Sequence, residues 1–296
     1  MTSKNLNALL IKVKQLIPPL SADFHKGQAG RICVIGGSEE YTGAPYFSSM
    51  AALRIANLMV YPYMRTSEKN YSQTPQQITT KVAELFPRMH VIVVGPGLSR
   101  DKLMQECARG IITKAKEKDL AIVLDADALF LVQNHPDVVK NYKKAVLTPN
   151  VNEFKRLCEA LNVGFDESQK GGTAQRLSQA LGGVTIVQKG KVDVISNEEQ
   201  TLCCDIPGGL KRCGGQGDIL SGVIATFLAW GKAYQAGLWE HDQSITASEI
   251  PLLASFAGCK IVRECSRVAF EKFGRATQTS DILKELGSVF QKDFER

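Results

Sequence analysis

Short runs of apolar, mostly β-branched residues alternate with stretches of helical periodicity along almost the whole chain. The apolar runs predict strands at residues 31–36, 58–64, 90–95, 120–125, 145–148, 184–189 and 192–196. The helical periodicity lies at residues 45–55, 102–116, 151–161, 173–181, 218–230 and 247–263. The strand candidates are continuously apolar, which is typical of strands buried on both faces. The pattern therefore predicts an α/β fold, with a mostly parallel central sheet and helices on both faces.

The first 22 residues predict an N-terminal helix, which Pro18 and Pro19 end. This segment contains lysines but no acidic residues, which is also a feature of organelle transit peptides. It has no arginine, however, and we favour a helix that packs against the rest of the domain. The polar stretches 66–77 and 232–244 predict loops. Because no linker, internal repeat or low-complexity segment interrupts the pattern, residues 1–296 are expected to form a single domain.

Composition narrows the class of ligand. The chain is 44% hydrophobic and 22% charged, and its net charge is +6. The basic residues are scattered among acidic ones, which favours small anionic ligands over nucleic acid. No apolar run is long enough to cross a bilayer, so no membrane partner is expected. The eight cysteines form no C-x-x-C pair and predict reduced thiols in the cytoplasm, with a mitochondrial location left open. A homo-oligomer also stays open.

A glycine-rich turn carries the strongest chemical signal. Gly214, Gly215 and Gly217 stand just before Asp218, and the apolar run 223–230 predicts a buried helix directly after them. Such a turn directs backbone N–H groups and the positive end of the helix dipole at one point, where phosphate commonly binds. Asp218 is then either a base that removes a proton from a hydroxyl as a phosphoryl group reaches it, or an ordinary N-cap. The local string favours neither.

Further polar or glycine-rich strings follow the predicted strands, at the edge where parallel sheets bind ligands. Gly97 ends one strand and fits either close approach of a ligand or a tight turn. Asp125 and Asp127 end the next strand and are candidates for hydrated Mg²⁺, although at least one of them is expected to cap the following helix.

The string from Thr148 to Arg156 opens a helix, and Asn150 with Glu153 predicts a capping box. The same two residues could organise hydrated Mg²⁺ at phosphates, and the two roles can coexist. Residues 188–193 suit nucleotide contacts or a surface hairpin equally. The chain has no G-x-x-x-x-G-K-[ST] loop, no G-x-G-x-x-G after a strand, no protein-kinase signature and no G-x-S-x-G elbow. These absences argue against the common P-loop, dinucleotide-dehydrogenase, protein-kinase and hydrolase classes.

Taken together and in order, these strings resemble the ribokinase-like superfamily and, within it, the NAD(P)H-hydrate dehydratases that use ATP or ADP. The resemblance spans roughly residues 25–290, and within the family the chain is most similar to the eukaryotic, ATP-using branch. The superfamily motifs are Asn150-x-x-Glu153 and Gly215-Gln216-Gly217-Asp218. The motifs more specific to the dehydratases are Lys26-Gly27 with Gly30, Val34-Ile35-Gly36-Gly37-Ser38, Tyr41-Thr42-Gly43-Ala44-Pro45, Gly95-Pro96-Gly97-Leu98, Asp125-Ala126-Asp127-Ala128-Leu129 and Thr148-Pro149. The chain departs from the family in having Gly215-Gln216 before the Gly-Asp, and in lacking a His-Pro within residues 71–78.

The resemblance implies a reaction and a set of residues. The substrate would be the S form of hydrated NADH or NADPH. ATP would be the co-substrate, Mg²⁺ the cofactor, and a separate epimerase the functional partner. Asp218 would be the catalytic base that starts phosphorylation of the C6 hydroxyl, after which phosphate leaves. The implied dinucleotide contacts are Gly97, Asn150, Val151, Asn152, Glu153, Phe154, Lys155, Arg156 and Asp218. The implied ATP contacts are Lys189, Gly190, Lys191, Val192, Asp193, Gly208, Gly209, Leu210, Lys211, Arg212, Cys213, Gly214, Gly215, Gln216 and Gly217. Asn150 and Glu153 would contact Mg²⁺ indirectly.

Two other classes of function remain possible at this stage. A ribokinase-like kinase would phosphorylate a vitamin or sugar hydroxyl and release the phosphorylated product. A non-catalytic dinucleotide sensor would bind without turning over ATP, and the intact Asp218 argues against it.

Overall fold

The computed structural model of the chain describes residues 3–55, 59–63, 74–166 and 170–295. Its centre is an eight-stranded sheet with the spatial order 2-1-3-4-5-6-7-8. The strands are β1 (Arg31–Ile35), β2 (Met59–Tyr63), β3 (Val91–Val94), β4 (Ala121–Leu124), β5 (Ala145–Leu147), β6 (Thr185–Gln188), β7 (Asp193–Ser196) and β8 (Thr201–Cys204). Neighbouring strands from β2 to β6 run parallel, and β7 is antiparallel to both of its neighbours, β6 and β8.

Helices cover both faces of this sheet. They are α1 (Ser3–Gln15), α2 (Gly43–Ile55), α3 (Pro75–Ala83), α4 (Lys102–Glu117), α5 (Asp127–Asn134), α6 (Val151–Ala160), α7 (Lys170–Ala180), α8 (Gln216–Gln235), α9 (Ile250–Phe273) and α10 (Thr279–Phe290). One face is covered by α1, α2 and α8 to α10, and the other by α3 to α7. In the described ranges, no helix is both long and apolar enough to cross a membrane.

The strands bury alternate residues in two separate cores. In β1, Ile32 and Val34 pack toward α2 and α8, while Cys33 and Ile35 pack toward α3 and α4. Both sets are apolar because both faces are covered, and this is why the strands read as continuous apolar runs. The structure confirms the predicted α/β class, the mostly parallel sheet and the helices on both faces.

Several element boundaries differ from the expectations. Each strand predicted within the described ranges is present, but β8 was missed because Thr201–Cys204 is short and partly exposed. The predicted strand 58–64 is described as Met59–Tyr63. Most of the predicted loop 66–77 lies outside the described residues, and its end is wrong because Thr74 caps α3 at residue 75. The loop predicted at 232–244 begins later, since α8 continues to Gln235. The helices α3 and α10 were not predicted, and α5 was expected only as the helix that follows Asp125 and Asp127.

The connections after the parallel strands meet at one edge of the sheet. After β1 the chain passes into α2 on one face, and after β3 it passes into α4 on the other. The spatial neighbours β1 and β3 therefore mark a switch point, where the two connections separate and leave a crevice. The N-terminus of α8 lies beside this edge, because Gly217 approaches Asp125 and Lys189, which follow β4 and β6.

Candidate active site

The glycine-rich turn forms the N-terminus of α8. Its N-cap is Gly215, whose φ of 96° lies in the left-handed region that favours glycine. No side chain caps this helix end, so no protein side chain competes with an anion for the N–H groups of its first turn. Thr279 of α10 fixes the turn from behind, since its hydroxyl donates a hydrogen bond to the carbonyl of Gly214. The geometry is that of an anion-binding turn.

Asp218 is the third residue of α8, and therefore the N-cap interpretation of Asp218 is wrong. Its carboxyl group is half-buried at the same helix end. Burial, and next the negative charge of Asp125, raise the pKa of Asp218 to about 7, while Lys189 acts in the opposite direction. A carboxyl group with this pKa can exchange a proton near neutrality, which is the property that a general base needs.

Lys189 and Asp125 form a largely buried ion pair under the anion-binding turn. Lys189 Nζ lies 2.9 Å from Asp125 Oδ1, and the Thr148 hydroxyl donates to the same oxygen at 2.7 Å. Burial acts to lower the pKa of Lys189, but the carboxylates of Asp125, Glu153 and Asp218 outweigh it, and the pKa is raised. The lysine therefore stays charged among three acidic groups that converge from separate parts of the chain.

Gly217 closes this cluster from above. A Cβ built on Gly217 would lie 3.2 Å from Lys189 Nζ and 3.5 Å from Asp125 Oδ2. The absence of a side chain brings the helix N-terminus, the ammonium group and the carboxylate to one point. A phosphoryl group at that point would meet N–H donors and a cation together, which is the environment that stabilises phosphoryl transfer.

The structure confirms the capping box at the start of α6. Asn150 Oδ1 accepts hydrogen bonds from the N–H groups of Asn152 and Glu153, and Glu153 Oε2 accepts one from the Asn150 N–H at 2.7 Å. Burial raises the pKa of Glu153, with Lys189 opposing it. Glu153 is thus both a member of the capping box and a charged neighbour of Lys189.

These residues fit a magnesium ion held mainly by other ligands. Among the described residues, no group of three or more His, Cys, Asp or Glu side chains could hold a metal. The capping box engages Asn150 Oδ1 and one oxygen of Glu153, which leaves the second oxygen of Glu153 for contact through water. Mg²⁺ commonly keeps several waters and binds one or two carboxylates plus substrate phosphates. The donor set therefore fits an ion that arrives with ATP.

One expectation at the end of β4 is wrong. Neither Asp125 nor Asp127 caps α5 with its side chain, since the N-cap is Ala126 and no side-chain hydrogen bond is made there. Asp127 instead accepts a hydrogen bond from the N–H of Ser99 at 2.9 Å, which holds the connection after β3 against the connection after β4. The two acidic residues do different things because only Asp125 points toward Lys189.

A cavity of about 760 Å³ opens beside the anion-binding turn, between the β6–β7 turn and α9. Its volume is in the range of cofactor and small-molecule sites. The implied ATP contacts in its walls are Lys189, Gly190, Lys191, Val192, Asp193, Gly208, Gly209, Leu210, Arg212, Gln216 and Gly217. The implied dinucleotide contacts Asn150, Val151 and Asn152 also line it. Residues implied to contact ATP and residues implied to contact the dinucleotide therefore line the same cavity.

Other implied contacts are engaged elsewhere. Phe154 is fully buried against Phe165 in the core between α6 and the sheet, so its inclusion as a ligand contact is corrected. As the residue after Glu153, it lies about 100° further round the helix and faces the core. Lys211 Nζ donates to the Arg275 carbonyl, and Cys213 Sγ donates to the Thr277 carbonyl. The implied contacts outside the cavity walls are Gly97, Glu153, Phe154, Lys155, Arg156, Lys211, Cys213, Gly214, Gly215 and Asp218.

Sequence reasoning missed one whole wall of the cavity. Cys259, Val262, Arg263 and Ser266 line it from α9. Their spacing of three, one and three residues places them on one helical face. An arginine and a serine on that face of a largely apolar helix were the available signal.

Gly97 lies at the crevice between the connections that follow β1 and β3, outside the walls of this cavity. Its φ is 62°, and a Cβ there would lie 2.5 Å from the Tyr41 carbonyl oxygen and 3.2 Å from the Ala44 Cβ. The Gly37 N–H donates to the Pro96 carbonyl at 2.9 Å, so the connections after β1 and β3 pack together. Both glycine loops and the N-terminus of α2 thus form one continuous surface.

The sheet order, the switch-point crevice and the anion-binding turn at α8 define a ribokinase-like α/β protein. Two solved structures share this fold across nearly the whole chain. A ribokinase-like superfamily protein from Enterococcus faecalis has a TM-score of 0.71 and 22% identity, with 96% of this chain and 95% of that one covered. The ADP/ATP-dependent NAD(P)H-hydrate dehydratase from Bacillus subtilis, co-crystallized with ATP/Mg²⁺, has a TM-score of 0.65 and 19% identity, with 96% and 97% covered.

The chain belongs to the NAD(P)H-hydrate dehydratase family, whose sequence model matches residues 32–287. It is 45% identical to the ATP-dependent (S)-NAD(P)H-hydrate dehydratase of Neurospora crassa, over 97% of this chain and 94% of that protein. It is 42% identical to the Homo sapiens protein of the same description, over 99% of this chain and 86% of that protein. The family resemblance read from the motifs is confirmed.

Proposed function

We propose that the protein uses ATP to dehydrate the S form of hydrated NADH and NADPH, which restores the reduced cofactor. The observation that carries this proposal is the position of Asp218, a carboxyl group with a pKa near 7, at an anion-binding helix N-terminus beside Lys189. The descriptions of the similar fungal and human proteins supply the substrate.

The chemistry balances in two steps. Asp218 takes the proton of the C6 hydroxyl as that oxygen attacks the γ-phosphorus of ATP, and ADP leaves. The N–H groups at the start of α8 and the ammonium group of Lys189 hold the transferring phosphoryl group. The lone pair of the ring nitrogen then expels the phosphate from C6. The dihydropyridine ring is restored when C5 loses a proton. Hydroxide is a poor leaving group and phosphate a good one, which is why ATP is consumed.

Mg²⁺ is part of the proposal. When bound with ATP, the ion would neutralise charge on the phosphate oxygens. Asn150 and Glu153 fit a water-mediated contact with it, because the capping box holds them at the phosphate end of the cavity and leaves one Glu153 oxygen unused.

Two further features go with this activity as proposals. An enzyme that acts on the S form alone needs a separate epimerase that converts the R form. We also propose a cytoplasmic location, where the reduced cofactors are abundant, and fractionation of cells that contain the protein would test it.

The test is a turnover assay with hydrated NADH, the purified protein and ATP or ADP. We expect the dihydropyridine absorbance to recover in step with the release of one phosphate per cofactor, and faster with ATP than with ADP. A stable phosphorylated dinucleotide would instead support a kinase that stops after the first step. No nucleotide turnover with the hydrate, while both ligands bind, would support a non-catalytic sensor and overturn the proposal.

A further inference from the structure

Arg263 of α9 connects the two loops that face each other across the nucleotide cavity. Its Nε donates to Asp193 Oδ2 at 2.6 Å, and its terminal nitrogens donate to the carbonyls of Gly190 and Lys191 at 2.8 and 3.0 Å. A further bond of 3.1 Å reaches the carbonyl of Ile206, in the loop before Gly208. One guanidinium group therefore holds four acceptors from two separate segments.

The two charged side chains of this ion pair are largely buried. The side chains of Arg263 and Asp193 are 14% and 10% exposed. The second oxygen of Asp193 accepts the N–H of Gly190 at 2.9 Å, which closes the β6–β7 turn on itself. Asp193, implied by the resemblance to contact ATP, thus has both oxygens engaged within the protein. Its effect on ATP must pass through the turn that it holds.

The catalytic end of the turn has independent supports. Lys189 is held by Asp125 and by a hydrogen bond from its N–H to the Pro149 carbonyl at 2.8 Å. These contacts do not involve Arg263. Loss of the arginine should therefore loosen the cavity walls while the ammonium group stays beside Asp218.

We infer that Arg263 is a positioning residue for ATP, which sets the affinity for the nucleotide by holding the β6–β7 turn and the 206–209 loop at the separation that ATP requires. The inference rests on the proposed function and deepens it. The planar fork of arginine matches four acceptors at fixed angles, and a lysine ammonium group cannot reach them together. Charge alone should therefore not replace it.

The experiment compares Arg263→Lys, Asp193→Asn and the double variant with the wild-type protein. We expect each single change to raise the KM and the Kd for ATP at least tenfold, with kcat at saturating ATP and the KM for hydrated NADH within about twofold. The double variant should lose no more than about twofold beyond either single variant, because both changes break the same contact. Arg267→Lys is the matched control. It lies one turn further along α9, pairs with Glu264 and Glu271 at the surface, and should leave all values within about twofold.

The inference is overturned if Arg263→Lys folds and binds ATP as tightly as the wild type. It is also overturned if both KM values rise together, since a general loosening would do that. If Arg263→Lys fails to fold, as thermal unfolding would show, Asp193→Asn decides the question by the same criteria. Because Kd for ATP is measured without turnover, the inference can be judged even if the wild type proves unable to dehydrate the hydrate.

Discussion

The ammonium group of Lys189 lies 2.9 Å from a carboxylate oxygen of Asp125, and this pair sits beneath the helix N-terminus that carries Asp218. The pair gives the site a fixed positive charge next to an acid that ionises near neutrality. A lysine that was free to move would leave Asp218 beside Asp125 alone, where two negative charges repel. The relationship between these residues sets the following expectations.

Asp218→Asn should lower kcat by about 10²–10⁴-fold, the usual worth of a positioned base. The ATP Kd should change little, since asparagine keeps the size of the side chain. The assay is recovery of dihydropyridine absorbance from hydrated NADH, with ATP binding measured separately. Asp137→Asn, which alters an exposed pair with Arg109, is the control and should stay within about twofold. Near-normal repair by Asp218→Asn would refute the assignment.

The turnover rate should depend on pH through Asp218. A base works only when it is deprotonated, and burial with the charge of Asp125 raises its pKa to about 7. We therefore expect kcat to be half-maximal near pH 7 and to fall about tenfold per unit below it. Asp125→Asn removes one repelling charge, so the midpoint should move to lower pH whatever its effect on the maximum. A midpoint that does not move in this variant would contradict the electrostatic account.

Asp218→Asn should also stabilise the fold in a pH-dependent way. Well below pH 4 the carboxyl group is protonated in both folded and unfolded chains, so the variant gains nothing there. As the pH rises toward 8, only the folded state resists ionisation, and the wild type loses stability. We expect a gain of about 1–2 kcal/mol at pH 8 after allowance for partial exposure. Thermal unfolding at pH 4 and pH 8 would check this, and an equal gain at both pH values would count against it.

Lys189→Met should destabilise the fold by about 1–3 kcal/mol at pH 8, because three acidic groups lose their shared cation. The loss should be smaller at pH 5, where Glu153 and Asp218, whose pKa values are raised, take up protons more readily. Adding Asp125→Asn should restore part of the stability. Lys143→Met, which breaks an exposed pair with Glu198, is the control and should cost much less than Lys189→Met. Chemical denaturation measures all of these, and a double variant less stable than Lys189→Met would contradict the pairing.

Gly97→Ala should cost about 1–3 kcal/mol, since alanine resists a φ of 62° and its Cβ would meet the Tyr41 carbonyl. Displacement of that loop should raise the KM for the hydrated dinucleotide more than the KM for ATP. Gly287→Ala in α10 has open space at Cβ and serves as the control, with a small gain in stability. A rise confined to the KM for ATP would contradict the prediction that Gly97 contacts the dinucleotide.

What could be read from the sequence was local or periodic. The Asn150–Glu153 capping box needs only its own four residues, and the apolar runs mark strands because both sheet faces are covered. The contacts that build the site are not local. Lys189 and Asp125 are 64 residues apart, and Arg263 and Asp193 are 70 apart. The sequence pattern around one of these residues does not indicate which distant residue it will contact.

Errors at finer scale have the same physical origin. Phe154 was included with its polar neighbours because the motif is contiguous in sequence, whereas a helix turns successive side chains about 100° apart. At least one of Asp125 and Asp127 was expected to cap α5, but Asp127 instead holds the connection after β3, which only the folded arrangement brings near. The roles assigned to individual site residues stay predictions until the variants above are measured.

The helix that carries Asp218 also completes the core beneath the first strands. Phe227 and Val223 of α8 are fully buried, and α8 packs on β1, β3 and β4, which precede it by more than ninety residues. During synthesis, those strands leave the ribosome long before the helix that must cover them, so the chain folds late. Asp218 and the anion-binding turn belong to this same helix. A nascent chain that ends before α8 therefore has an uncovered sheet face and no site.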